Sequence, residues 1–271
     1  MPSSPPPRTE HPMKKALARA AYTSLLHLAT PFYLARLWWR GRREPGYREA
    51  LPERLGHGKA QLPAGPLWIH AVSLGETRAA AALIDALRAA RPGLHLLLTH
   101  GTATGRAAGA PLMTPGDHQA WLPYDTPAAV RRFLRRYRPA IGVLMETEVW
   151  PNLLHEATRA GVPMVLANAR LSERSAAKGH RLAALLEPAA QALSVALAQS
   201  EADAHRLKAA GVVHVEVCGN LKYDLLPDPA QLAQGRRWRA ATGRQVVVAA
   251  STREGEEADL FGAWQELPRP R

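Results

Sequence analysis

Short apolar runs alternate with helix-spaced segments along most of the chain. Pro66 to Val72, Leu94 to Thr99, Gln119 to Leu122, Ala140 to Met145, Met164 to Ala167, Ser194 to Ala198 and Val213 to Val217 are too short for helices and run into polar turn residues. The segments between them carry helical spacing, as in the Ala-rich stretch Arg78 to Arg91 and in Glu201 to Ala210. Asp125 or Thr126 is placed to cap a helix through Tyr137, and Pro151 to start another, because its missing N–H would have no intrahelical partner there. This alternation predicts an α/β fold with a mostly parallel, doubly wound sheet.

The N-terminal stretch breaks the pattern. Residues 1–12 are proline-rich and read as a disordered tail. Met13 to Arg43 interleaves Leu25, Leu28, Phe32, Leu37 and Trp38 with His27, Pro31 and Arg36. Its least polar part, Ala20 to Ala35, is shorter than the ~20 residues that span a bilayer. The tryptophans beside arginines in Trp38 to Arg43 suit the headgroup level of a membrane, so the segment reads as an interfacial basic helix, the alternative being an amphipathic helix packed on its own domain. Tyr47 to Leu55 reads as a charged connector. At the other end, Leu225 to Ala230 reads as a linker. Gln245 to Ala249 (QVVVA) reads as a fresh strand leading into the polar turn Ala250 to Glu257. The expected division is thus 1–48 tail and interfacial helix, 49–225 a Rossmann-like domain, and 226–271 a linker and the start of a second α/β domain.

Composition narrows the class only slightly. The chain has 271 residues, is 46% apolar and has a single cysteine, Cys218, which excludes a disulfide framework and a cysteine metal cluster. Of the net charge of +12, residues 1–60 supply +7, with 11 Lys/Arg against 4 Asp/Glu. That asymmetry points to an anionic surface met by one end of the molecule. Nucleic acid is disfavoured, because the tryptophans do not form platforms among clustered cations. The arginines at 131, 132, 135, 136 and 138 read mostly as the solvated side of a helix.

Ligands of doubly wound sheets bind outside the carboxyl ends of the strands. Glu76, Glu146, Glu148, Arg170, Arg174, Asn220 and Lys222 all fall at such ends. Glu76 follows Ser73 and Gly75 at the first helix start and has two readings: a first-turn glutamate that complements the helix dipole, or a carboxylate at a crevice suited to general base work. The hydroxyl-rich loop Thr99 to Gly105 is equally open, to a ligand contact or to a turn and helix cap. Walker A, GxGxxG, HExxH and GxSxG patterns are absent.

Taken in order, WRGR-x-x-P-x-YR (Trp39 to Arg48), HAVSLGE (His70 to Glu76), LPYDTP (Leu122 to Pro127), ETEVWPN (Glu146 to Asn152), NARLSERS (Asn168 to Ser175), AQSEAD (Ala198 to Asp203), GNLKYD (Gly219 to Asp224) and ASTREGEE (Ala250 to Glu257) resemble the 3-deoxy-D-manno-octulosonic acid (Kdo) transferases. The resemblance implies a GT-B glycosyltransferase with two Rossmann-like halves, the N-terminal half for a lipid A precursor and the C-terminal half for CMP-Kdo. It implies work at the cytoplasmic face of the bacterial inner membrane, with no cofactor and no metal. By resemblance Glu76 is the general base, and Glu146 and Lys222 support the transition state. Lys222 would do so as a cation near developing negative charge, and Glu146 by positioning the acceptor or by stabilising positive character at the anomeric carbon. Ser73, Gly75, Glu148, Arg170, Arg174 and Asn220 are assigned to the acceptor, the arginines on the chemical ground that guanidinium matches phosphate. Two departures stand out. Arg253 occupies a position where histidine is usual, and most of the donor half lies beyond Arg271, so no CMP-binding residue is assigned and the chain reads as truncated. The alternatives are an inactive acceptor- or membrane-binding fragment and another GT-B glycosyltransferase.

Overall fold

The structure is a computed structural model and describes residues 12–58, 62, 65–224 and 228–266. The proline-rich tail, except Pro12, lies outside the described residues, as does the start of the expected linker. Residues 1–225 and 226–271 form separate compact units.

The first unit is built on seven parallel strands: β1 (Leu67–His70), β2 (Leu96–His100), β3 (His118–Trp121), β4 (Ile141–Met145), β5 (Met164–Ala169), β6 (Val195–Ala198) and β7 (Val215–Val217). Their order is β3-β2-β1-β4-β5-β6-β7. The chain therefore winds outward from β1 to one edge, returns, and winds from β4 to the other edge. This makes β1 and β4, paired from Leu67↔Ile141 to His70↔Leu144, the point where the winding reverses. Crevices open at the carboxyl ends of such a pair.

Alternate residues of each strand enter separate cores. Trp68, Leu97 and Leu144 pack with Phe133 and Leu154 on one face, while Leu67, Ile69, Leu98, Val143 and Met145 pack with Ala80 and Ile84 on the other. Both faces being covered explains why the central strands β1, β2, β4 and β5 read as apolar runs. Helix α2 (Leu74–Ala90) covers the second face. Helices α4 (Pro127–Tyr137), α5 (Pro151–Arg159), α7 (Ala183–Gln191) and α8 (Glu201–Ala209) cover the first. Shorter α3 (Ala103–Gly109) follows β2, and α6 (Glu173–His180) precedes α7.

Asp125 does not cap α4. Thr126 takes the N-cap position there without a side-chain cap bond. The buried Asp125 carboxylate instead accepts the N–H groups of Asn152 (3.1 Å) and Leu153 (2.6 Å), closing the amino end of α5 from 27 residues away. Pro151 does open α5. Of the arginines read as solvated, Arg131 pairs with Glu156 at 3.0 Å and Arg132 donates to the Leu55 carbonyl.

Helix α1 (Pro12–Arg40) has Pro31 in its interior and buries no residue. It is nevertheless anchored on one side. Tyr22 donates to Asp125 at 2.9 Å, Thr23 and Asn152 share hydrogen bonds, and Lys15 pairs with Glu187 at 3.4 Å. Leu25, Leu28, Phe32, Trp38 and Trp39 are exposed, Phe32 by 76% and Trp39 by 70%. The reading as an amphipathic helix packed on its own domain describes the anchored side, and the opposite side leaves apolar residues exposed. Among the described residues no helix is long and apolar enough to cross a membrane. Two 3₁₀ turns, Pro45–Arg48 and Leu51–Leu55, form the connector and bury Tyr47 and Arg54.

In the second unit, α9 (Pro229–Thr242) is capped by Asp228 and stopped by Gly243 at φ 59°, and α10 (Glu256–Glu266) follows. The expected strand at 245–249 does not form, and Val246, Val247 and Val248 are exposed. Among the described residues of this unit the β-prone run has no ladder partner to satisfy its backbone groups.

Candidate active site

Ser73 and Glu76 close the amino end of α2 on each other. Ser73 Oγ accepts from the Glu76 N–H (3.4 Å), Glu76 Oε1 accepts from Ser73 Oγ (2.9 Å), and Oε2 accepts from the Val72 N–H (2.8 Å). This is a variant of the capping box. Burial raises the Glu76 pKa; the bonds from Val72 and Ser73 oppose the rise, Glu146 adds to it, and Lys222 offsets it. Glu76 is therefore a cap and, at the same time, a carboxylate in the field of groups from two other loops.

Gly75 lies inside the first turn of α2, and a Cβ there would meet nothing closer than Ser73 Oγ at 3.9 Å. The turn itself does not demand glycine. Gly105 is different, since a Cβ would sit 2.9 Å from the Val72 carbonyl oxygen. That carbonyl also accepts from Gly101 N, Thr102 N and Thr102 Oγ1, and Thr102 caps α3. Of the two readings of loop 99–105, the structure gives the turn and cap, which buttress the end of β1.

Glu146, directly after β4, adopts a left-handed φ of 61°. Its N–H bonds to Ala167 O, and its Oε1 pairs with Lys222 Nζ at 3.2 Å. The 3₁₀ turn Leu221–Asp224 carries Lys222. Asn168, buried and itself left-handed at φ 52°, holds that turn by accepting the Leu221 N–H on Oδ1 (3.1 Å). Asn220 Oδ1 accepts the Lys222 N–H (3.0 Å). The NARLSERS motif contains Asn168 without marking a role for it; the signal is an asparagine at the end of a strand, a residue type that tolerates left-handed backbone. Glu148 is pushed up to about 7, chiefly by burial, with the charges of Glu76 and Glu146 adding to it.

The remaining candidates lie further out. The Arg170 N–H reaches Glu146 O (3.4 Å), while its side chain is exposed. Arg174 is exposed on the first turn of α6 and makes no ion pair among the described residues. The AQSEAD motif is structural: Ser200 caps α8, and Asp203 Oδ1 accepts the Leu171 N–H (2.9 Å), fixing the loop that carries Arg170.

A base candidate after β1 and a carboxylate–lysine pair after β4 thus meet where the sheet's winding reverses. The family model of the 3-deoxy-D-manno-octulosonic-acid transferases (Kdo transferases) matches residues 49–225. The chain belongs to this family. Among its relatives, the Kdo transferase of Bordetella pertussis is 46% identical over 270 residues, covering 94% of this chain and 63% of that protein. That of Haemophilus influenzae is 34% identical over 255 residues, covering 92% of this chain and 60% of that protein. The chain therefore spans less than two thirds of the length of either. Among solved structures, a UDP-GlcNAc 2-epimerase from Neisseria meningitidis bound to UDP-GlcNAc is similar over 66% of this chain and 51% of that one, at 13% identity and a TM-score of 0.44.

In this Kdo transferase domain the crowding of carboxylates has a measurable signature. Glu148 binds a proton more tightly in the folded than in the unfolded chain, so the stability it contributes is full below pH ~4.5 and is lost as pH rises through about 7. Glu148→Gln should flatten that stretch of the stability–pH curve. Above pH 7 the variant should be the more stable by about 1–2 kcal/mol, a figure discounted for solvent at the open edge of the site. Urea unfolding between pH 4.5 and 8 reads this directly; parallel curves for the two proteins would contradict it.

Proposed function

We propose that this domain is the acceptor half of an enzyme that transfers Kdo from CMP-Kdo to a lipid A precursor at the cytoplasmic face of the bacterial inner membrane. The observation that carries the reading is the convergence of Glu76 with the Glu146–Lys222 pair at the β1/β4 crevice. Glu76 takes the proton from the acceptor hydroxyl as its oxygen attacks the anomeric carbon of Kdo, and burial has raised its affinity for that proton. Lys222 supplies positive charge where the departing CMP phosphate or the Kdo carboxylate gathers negative charge. Glu146 keeps Lys222 in place and orients the acceptor. Arg170 and Arg174, exposed at the same end of the sheet, meet acceptor phosphates. CMP-Kdo is bound by a second Rossmann-like half that faces this domain.

Membrane contact fits the exposed apolar and basic side of α1. Phe32→Glu with Trp39→Glu should weaken binding to anionic vesicles by about tenfold or more, since each ring withdrawn from the interface forfeits a large apolar burial. Cosedimentation measures it, and unchanged binding would remove α1 from the contact. For the reaction, the assay is Kdo transfer from freshly generated CMP-Kdo to the lipid A precursor, run on the 271-residue chain alone and with a Kdo transferase donor half. Product only with the donor half supports the acceptor role. Precursor binding without product in either case points to an inactive binding domain.

A further inference from the structure

A cavity of about 600 Å³ lies in the first unit between β5 and helices α6, α7 and α8. Its volume is within the roughly 300–1,000 Å³ of small-molecule sites. The floor is apolar and buried, formed by Leu166, Leu193, Leu207 and Val212. The walls stay apart because α6 buries no residue of its own and offers small side chains, Ala176 and Gly179 among them, towards α7.

The rim is polar and carries an excess of positive charge. Arg170 and Arg206 border it, with the imidazole of His180, against a single carboxylate, Glu187, which is already paired with Lys15 at 3.4 Å. Arg206 is held by Asp203 and by the Leu171 carbonyl. Arg170 is exposed and makes no ion pair among the described residues. The same rim continues into the candidate active site. Thr147 borders the cavity and stands between Glu146 and Glu148, and the Arg170 N–H bonds to Glu146 O.

We infer that this cavity takes one fatty acyl chain of the phosphorylated lipid acceptor, with an acceptor phosphate against Arg170. The inference rests on the acceptor reading above and adds a binding site for the apolar part of that substrate. An apolar chamber with a cationic mouth complements an anionic amphiphile: the chain leaves water, and the headgroup stays at the rim beside the reacting groups. Seating one chain would fix the height of the acceptor sugar over Glu76, so the cavity would act on orientation as well as on affinity.

The test uses the 271-residue chain and monoalkyl phosphates with chains of six to fourteen carbons, below their critical micelle concentrations, with binding followed by calorimetry. Affinity should rise roughly three- to fourfold per added methylene until the cavity is filled, then level off. Ala176→Trp and Ala209→Trp obstruct the cavity from opposite sides at positions that are not fully buried. Each should lower affinity for tetradecyl phosphate at least tenfold while leaving the thermal unfolding midpoint in place. Arg170→Ala should lower affinity for every chain length by a similar factor. Affinity independent of chain length, or unaltered in a folded Trp variant, would overturn the inference. Chain-length-dependent binding in a protein that transfers no Kdo even with a donor half would keep the cavity and discard the transferase reading. Transfer that is indifferent to acceptor acylation and to Ala176→Trp would do the reverse.

Discussion

Glu76→Gln should lower Kdo transfer by about 10²–10⁴-fold, the usual contribution of a positioned general base, with little change in folding stability. The choice of glutamine matters because Glu76 closes a helix end as well as being the proposed base. Its oxygens accept from Val72 N and Ser73 Oγ and so close the amino end of α2. Glutamine serves at this position of a capping box as glutamate does, since one carbonyl oxygen can still meet the Val72 N–H. What it loses is the capacity to take a proton. Glu76→Ala removes both at once, and its loss of activity would mix about 0.5–2 kcal/mol of helix-end damage with the chemical effect. The comparison therefore separates the readings: activity retained in Gln but lost in Ala would make Glu76 a structural cap only. Activity lost equally in both, with Gln as stable as the parent, leaves proton transfer as its function. Steady-state transfer assays in a transferase that joins this domain to a donor half, with matched urea unfolding, provide both readouts.

The central strands were legible because β1, β2, β4 and β5 are buried on both faces and appear as apolar runs, from Leu67–His70 to Met164–Ala169. Their polar endings located the crevice, since parallel winding brings every strand's carboxyl end to one edge. Non-local pairings were harder to see. Asp125 stands next to α4 in sequence, so a local cap was the natural expectation, yet it closes α5, and nothing in the neighbouring residues marks that choice. The Glu146–Lys222 pair joins residues 76 positions apart, and only the path of the chain through β5, β6 and β7 brings them together. Motif resemblance singled out both residues without indicating that they touch. At Gln245 to Ala249 the pattern misled, because β propensity is a preference for a pleated, partnered surface and the described residues of the unit supply no partner strand. Ser73 and Glu76 carried a capping-box spacing that sets the start of α2 at Leu74, four residues before the Ala-rich stretch that begins at Arg78. Helix capping uses the same two side chains to which the proposal gives chemistry, and the sequence pattern cannot separate uses that coincide.

Lys222→Ala should lower transfer by about 10²–10³-fold, the scale of removing one preorganised charge from a transition state. Two mechanisms would produce that loss, and they differ in what a second substitution does. Lys222 neutralises Glu146, which sits only 3.2 Å away in a site that also holds Glu76 and Glu148. Without the cation, three carboxylates face one another. Lys222 is one of the groups that lowers the Glu76 pKa, so its removal raises it further and shifts the acid limb of the pH–rate profile to higher pH. If this charge balance were the whole role of Lys222, adding Glu146→Gln would restore both the limb and most of the rate. If Lys222 also stabilises charge on the reacting donor, Glu146→Gln should return the limb towards its original position and leave the rate at its plateau depressed by about 10²-fold. We expect the second outcome, because the Lys222 side chain remains 47% exposed beside Glu146, leaving ammonium surface for a ligand anion. The Asn168 bond to Leu221 N supports the same conclusion, since it fixes the turn that presents Lys222 at the crevice. Full recovery in the double variant would reduce Lys222 to a counter-ion for Glu146.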